Sequence, residues 1–125
     1  MSITNSITET SYWDSLIGRS TMRFFLLACL ARRPMHGYEL SKEISGCCGG
    51  CCTPTDAMIY PAIKDLREAG LITCESTQDG GRTRNVCSLT QEGREAYKTA
   101  AASWNRFLPY INDAVDGGLR QEECT

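Results

Sequence analysis

Residues Asp56 to Leu89 read DAMIYPAIKDLREAGLITCESTQDGGRTRNVCSL, and the architecture follows from this stretch. Ile59, Ile63 and Leu66 recur at helical spacing, Thr53 or Thr55 is placed to cap the start, and Gly70 stands where a helix C-terminus is closed. The spacing predicts a helix over Asp56 to Ala69. Beyond Gly70 the pattern becomes strand-like at Leu71-Ile72-Thr73-Cys74 and again at Val86-Cys87-Ser88-Leu89, with Asp79-Gly80-Gly81 between. A hairpin turning at Gly80-Gly81 sets Cys74 opposite Cys87, on the side that carries Ile72 and Leu89.

Two further helices precede this unit. Trp13, Ile17, Phe24, Leu27 and Leu30 mark one over Ser11 to Ala31, with a break expected near Gly18 and a stop imposed by Pro34. A short one over Tyr38 to Ile44 carries Leu40 and Ile44 on one side and runs into Ser45-Gly46 and the run CCGGCC, Cys47 to Cys52, a loop by its glycines. Three helices and a hairpin make a winged helix-turn-helix, mainly α with a small β-hairpin, whose third helix enters a DNA major groove and whose wing reaches the neighbouring backbone.

On the C-terminal side, Thr90 is placed to cap a long helix reaching about Asp116, with Glu92 and Glu95 in its first turns. Along it Tyr97, Ala101, Trp104, Leu108, Ile111 and Val115 repeat as a heptad seam, which predicts a homodimer packed through this helix. The expected division is an N-terminal helical extension over 1–18, a DNA-binding domain over 19–90, a dimerisation helix over 91–116 and a flexible tail over 117–125.

The whole chain has 125 residues, which fits one domain. Its 13 Lys and Arg against 15 Asp and Glu give a net charge of −2, so a DNA-binding face must be a local patch. The wing tip Gly80-Gly81-Arg82-Thr83-Arg84 supplies such a patch, since glycines let the backbone approach phosphates closely. No apolar run approaches the roughly 20 residues of a membrane span, and the start of the chain lacks a secretory pattern, so a cytoplasmic location without membrane association is expected.

PMHGYEL at Pro34 to Leu40, IYPAIKDLREAGLI at Ile59 to Ile72 and GGRTRNVCSLTQEG at Gly80 to Gly93 resemble the PadR family of transcriptional regulators, in order and spacing, over roughly Arg19 to Trp104. The resemblance implies a dimeric repressor of double-stranded operator DNA without enzymatic activity. It places His36 and Tyr38 in the family's HGYEL segment, Tyr60 and Pro61 in its recognition helix, and Arg82 and Arg84 in its wing. With Thr55 and Lys64 these are the DNA-binding candidates. His36 has an alternative role as a cap residue and Tyr60 as a packing residue. Val86-Cys87 replaces an aromatic pair usual in family wings, and the cysteine run before the recognition helix is a departure.

Eight cysteines stand at positions 29, 47, 48, 51, 52, 74, 87 and 124, and a reducing cytosol would keep them free. Cys47, Cys48, Cys51 and Cys52 place four soft donors on a pliable loop. Adjacent thiolates favour a trivalent metalloid, arsenite or antimonite, while zinc, cadmium, mercury or an iron-sulfur cluster are the other ions such a loop could take. The expected function is therefore a PadR-type repressor released when this cluster binds a thiophilic ion. The alternatives are a redox or iron-sulfur sensor, a repressor answering an aromatic ligand with incidental cysteines, and, from another class, a thiol-disulfide oxidoreductase using Cys48-Gly49-Gly50-Cys51. Cys29 reads as a small core residue, and Cys74 and Cys87 as core-facing strand residues.

Overall fold

The structure, a computed structural model, describes residues 7–47 and 55–124, with the backbone alone at Asp56, Asp79, Arg82 and 122–124. Its elements are α1 (Thr10–Arg32), β1 (Met35–His36), α2 (Gly37–Cys47), α3 (Asp56–Glu68), β2 (Ile72–Asp79), β3 (Arg82–Leu89) and α4 (Gln91–Cys124). Helix α1 runs unbroken through Gly18, which is buried, so the expected break is absent. Arg33 ends it with extended backbone, as a residue ahead of proline must be.

Met22, Leu26, Leu27 and Leu30 of α1, Leu40 and Ile44 of α2, Ile59, Ala62, Ile63 and Leu66 of α3, and Met35, Ile72 and Cys87 of the sheet form one buried core. Each helix contributes the face that its periodicity marks. The sheet has three strands in the order β1-β3-β2, where the sequence predicted only two. Strand β1 is two residues long, too short for a periodic signal, and pairs Met35 with Cys87 and His36 with Val86.

The wing register is the expected one. Ile72 faces Leu89, Cys74 faces Cys87, and the turn is made by Gly80 (φ 59°) and Gly81 (φ 83°), backbone angles that favour glycine. One face of the hairpin changes character along its length. Ile72 and Leu89 lie at the core end, then Cys74 and Cys87, then Ser76 bonded to Asn85 at 3.0 Å, and Gln78 donating to Thr83 at 3.1 Å near the tip. Cys74 and Cys87 are joined as a disulfide, which corrects the expectation of free thiols there.

Thr90 caps α4 as expected, accepting the Gly93 N–H at 3.0 Å. Gly93 is required by packing. A Cβ there would lie 2.1 Å from the Leu71 carbonyl oxygen. The helix carries on through Pro109 to Cys124, so the segment expected as a tail over 117–125 is helical as far as it is described. The seam is also divided. Phe24 of α1 stacks on Trp104 at 5.6 Å and lies 5.8 Å from the Tyr97 ring, so the first half of the heptad pattern packs within the chain. Leu108, Ile111 and Val115 remain exposed, as do Trp13 and Ile17 on α1.

Candidate nucleic-acid interface

Helix α3 buries Ile59, Ala62, Ile63 and Leu66, which leaves Ala57, Tyr60, Pro61 and Lys64 on the opposite, exposed stripe. Thr55 holds the N-cap position in extended conformation, and its carbonyl accepts from the Met58 and Ile59 N–H groups at 2.9 and 3.0 Å. Pro61 lies inside the helix and removes one donor, so the Ala57 carbonyl loses its helical partner on the exposed side. Asp65, the next acidic group along the helix, is paired with Arg23 of α1 and thereby neutralised. Lys64 makes no ion pair among the described residues. The outward stripe is therefore an aromatic ring, a proline and a cation.

A cleft of about 620 Å³ separates this stripe from the wing, with Tyr60 and Arg67 of α3 on one wall, Thr83, Arg84 and Asn85 of β3 on the other, and the start of α2 between them. A Cβ added at Gly37, at that start, would meet the Tyr60 hydroxyl at 3.5 Å, ordinary van der Waals contact. Tyr60 is nevertheless 57% exposed, so packing and solvent-facing roles coexist in one residue.

His36 is half-buried beside the cleft and shows the cap role directly. Its backbone N–H donates to a Glu39 carboxylate oxygen at 3.3 Å, and the Glu39 N–H lies 3.4 Å from His36 Nδ1. This is a capping box with histidine in the place of serine or threonine. The His36 N–H, and then Arg33 at 2.9 Å, hold the Glu39 carboxyl below the usual carboxylate range. His36 Nε2 lies 2.9 Å from Nη1 of Arg84, so two expected DNA-contact residues from distant parts of the chain meet. The Arg82 side chain lies outside the described part.

Tyr38 is 68% exposed, and Lys42, one turn on, sits 5.0 Å from its ring centre. Lys42 and Arg67 border the same surface and were missed by sequence reasoning. Their signals were the four-residue spacing from Tyr38 and the three-residue spacing from Lys64.

Of the four cluster cysteines, Cys47 is the exposed last residue of α2, while Cys48, Cys51 and Cys52 lie outside the described residues. Among the described residues no group of three or more potential ligands could hold a metal ion. Cys47 has one thiol neighbour that sequence reasoning did not give it. This is Cys29 of α1, whose thiol is pushed up to about 12 by burial and then by Cys47. No helix among the described residues is long and apolar enough to cross a membrane.

Residues 26–99 match the transcriptional regulator PadR-like family. The chain is similar to the transcriptional regulator YqjI of Escherichia coli (strain K12), 36% identical over 78 residues, which are 62% of this chain and 36% of the relative. It thus spans about a third of the length of the curated relatives it matches. Similar solved structures include a PadR family transcriptional regulator from Eggerthella lenta (TM-score 0.71, 23% identity, 84% of this chain and 90% of that one). A transcriptional regulator from Clostridium thermocellum is also similar (TM-score 0.70, 24% identity, 78% and 95%). The matched family and relatives are transcriptional regulators, not enzymes.

Proposed function

The chain belongs to the PadR-like family of transcriptional regulators, and from that premise we propose that it is a homodimeric repressor released by a thiophilic ion at Cys47, Cys48, Cys51 and Cys52. In this reading the Tyr60, Pro61 and Lys64 stripe enters the major groove of operator DNA and the β2–β3 wing lies along the flanking backbone. The observation that carries the DNA-binding part is the division of α3. Its apolar face is buried and Asp65 is held by Arg23, so Lys64 is the charge that the outward stripe presents. The exposed Leu108, Ile111 and Val115 support pairing of two copies along α4.

The effector part is supported by position. Cys47 closes α2 at the point where the chain leaves for α3, so drawing it toward Cys51 or Cys52 would pull on the N-terminus of the reading helix. Vicinal cysteine pairs suit arsenite or antimonite, which take three sulfurs in a pyramid, better than zinc, cadmium, mercury or an iron-sulfur cluster. A tenfold preference of the ion for the released form gives about 1.4 kcal/mol of coupling, so a sharp response requires a larger ratio, within reach of metal-thiolate bonds.

The test is operator retention by the purified protein with and without arsenite, beside a variant with Cys47, Cys48, Cys51 and Cys52 all changed to serine. Release of the wild type and retention by the variant support the proposal. A wild type that holds DNA regardless of arsenite ends the effector part, and no sequence-specific retention ends the whole. A second reading, release by an aromatic ligand, is favoured by an apolar hollow of about 310 Å³ between Ser103, Trp104, Phe107 and Ile111. It requires the serine variant to remain fully inducible.

A further inference from the structure

Cys74 and Cys87 stand at a boundary in the hairpin. On their core side Ile72 is buried and faces Leu89, while on their tip side the same face holds Ser76 bonded to Asn85 at 3.0 Å and Gln78 donating to Thr83 at 3.1 Å. Polar side-chain bonds of that kind compete with water and hold an arm weakly. The disulfide is therefore the last strong side-chain tie between β2 and β3 before the tip. Cys87 also faces Met35 of β1, next to His36, which meets Arg84 at 2.9 Å. The bond thus joins the strand that follows α3 to the strand that carries Arg84.

Both cysteines line the cleft of about 620 Å³ between the wing and α3, Cys74 half-buried and Cys87 4% exposed. Small solutes reach the pair through that cleft, and Arg67 and Arg84 on its walls give the cationic surroundings in which reactive thiolates are found. The alpha carbons of this directly facing pair are 4.0 Å apart, so the bond can open and close without a change of register. A protein that acts on operator DNA works in a reducing compartment, where a disulfide is characteristically transient and marks redox sensing or catalysis.

We propose that Cys74 and Cys87 form a peroxide-reactive dithiol whose oxidation to the disulfide stiffens the wing and strengthens operator binding. The proposal rests on the DNA-binding part of the reading above and adds a signal that does not pass through the cysteine run. Cys74, the more accessible sulfur, attacks one oxygen of hydrogen peroxide. The oxygen–oxygen bond breaks, the departing oxygen leaves with the thiol proton as water, and Cys74 becomes a sulfenic acid. The Cys87 sulfur then attacks the Cys74 sulfur, the sulfur–oxygen bond breaks, and a second water leaves with the Cys87 proton. Two thiols lose two electrons and one peroxide gains them. The oxidised wing meets DNA with its arm already ordered, so less ordering is left to the complex.

The test uses the full chain with Cys47, Cys48, Cys51, Cys52 and Cys124 changed to serine, which removes the cysteine run and leaves Cys29 in the core with 1% of its surface exposed. This one protein is compared in two states, reduced with dithiothreitol and then oxidised with hydrogen peroxide, on an operator duplex selected from a random pool with the wild type. Oxidation should remove two hydrogens per chain by intact mass, join the Cys74 and Cys87 peptides in a proteolytic digest, and raise operator affinity about tenfold. Dithiothreitol should restore the reduced affinity, and Cys74→Ser should remove the difference between the states. Absence of the joined peptides, or equal affinity in both states, overturns the proposal. The parent reading fails separately. If neither state retains the duplex, the DNA-binding reading falls, and amide hydrogen exchange over residues 75–86 decides what the bond does. Exchange about tenfold slower in the oxidised state upholds the dithiol as the device that stiffens the wing, and equal exchange overturns it.

Discussion

Replacing Lys64 by alanine separates groove reading from ordinary surface charge. Lys64 is exposed on the outward stripe of α3 and has no ion-pair partner among the described residues, whereas the neighbouring Asp65 is already matched by Arg23. Each phosphate neutralised by a cation contributes about 0.9 to the slope of log K against log salt. A dimer presents Lys64 twice, so Lys64→Ala should flatten that slope by about 1.8 if each copy meets one phosphate. Between roughly 0.05 and 0.2 M salt the affinity gap between wild type and variant should then narrow about tenfold. Fluorescence anisotropy of an operator duplex selected from a random pool, titrated at several salt concentrations, measures this directly. Lys98→Ala, on the exposed side of α4, is the control and should leave the slope unchanged. A Lys64→Ala slope equal to that of the wild type refutes the reasoning, because α3 would then not face the DNA backbone.

Gly93→Ala places a methyl 2.1 Å from the Leu71 carbonyl oxygen and 2.7 Å from Leu89 Cδ1, and should cost about 3 kcal/mol, read as a lower urea midpoint with an unchanged m-value. Glu39 titrates below its usual range when folded, so its contribution is present above the ordinary carboxylate pKa and is lost as pH falls through the lowered one. Glu39→Gln should therefore be less stable than wild type at neutral pH, and the difference should close in acid denaturation profiles as the pH falls below the ordinary carboxylate range. Opening the Cys74–Cys87 bond with a thiol reductant releases a loop with a sequence separation of 13, worth about 3 kcal/mol in the chain-entropy estimate. Thermal unfolding with and without reductant should show the loss, and the Cys74→Ser, Cys87→Ser double variant should abolish the difference.

The helices and the hairpin register were legible because each rests on a local rule. The Ile59, Ile63, Leu66 stripe sets α3, and Gly80-Gly81 sets the turn and with it the pairing of Cys74 with Cys87. What was not legible depends on pairs distant in sequence. The heptad pattern of α4 reads as one seam, yet Phe24, some seventy residues upstream, takes Tyr97 and Trp104 and leaves only Leu108 onward for a partner. The Arg32–Glu43 ion pair likewise needs the register of α1 on α2, which no periodicity within either helix specifies.

His36 shows why a candidate site residue could not be given its structural role in advance. Both nitrogens of this ring are engaged, Nε2 with Arg84 Nη1 at 2.9 Å and Nδ1 with the Glu39 N–H at 3.4 Å. Nε2 also lies 3.3 Å from a Glu39 carboxylate oxygen, so Arg84 and Glu39 meet at one ring nitrogen. The Glu39 carboxylate accepts as well from the His36 backbone and from Arg33. The ring thus ties the wing, through Arg84, to the turn ahead of α2. A basic wing residue and a helix cap are thus parts of one junction, and that junction lies on the wall of the cleft beside Tyr60. Any movement of α2 relative to α1 would reach the wing through His36 as well as α3 through the chain. In the proposed reading, an effector at the far end of α2 would have two mechanical routes to the candidate DNA-facing surface, and Arg84→Ala, which cuts the one through His36, should blunt arsenite-driven release of operator DNA without abolishing it.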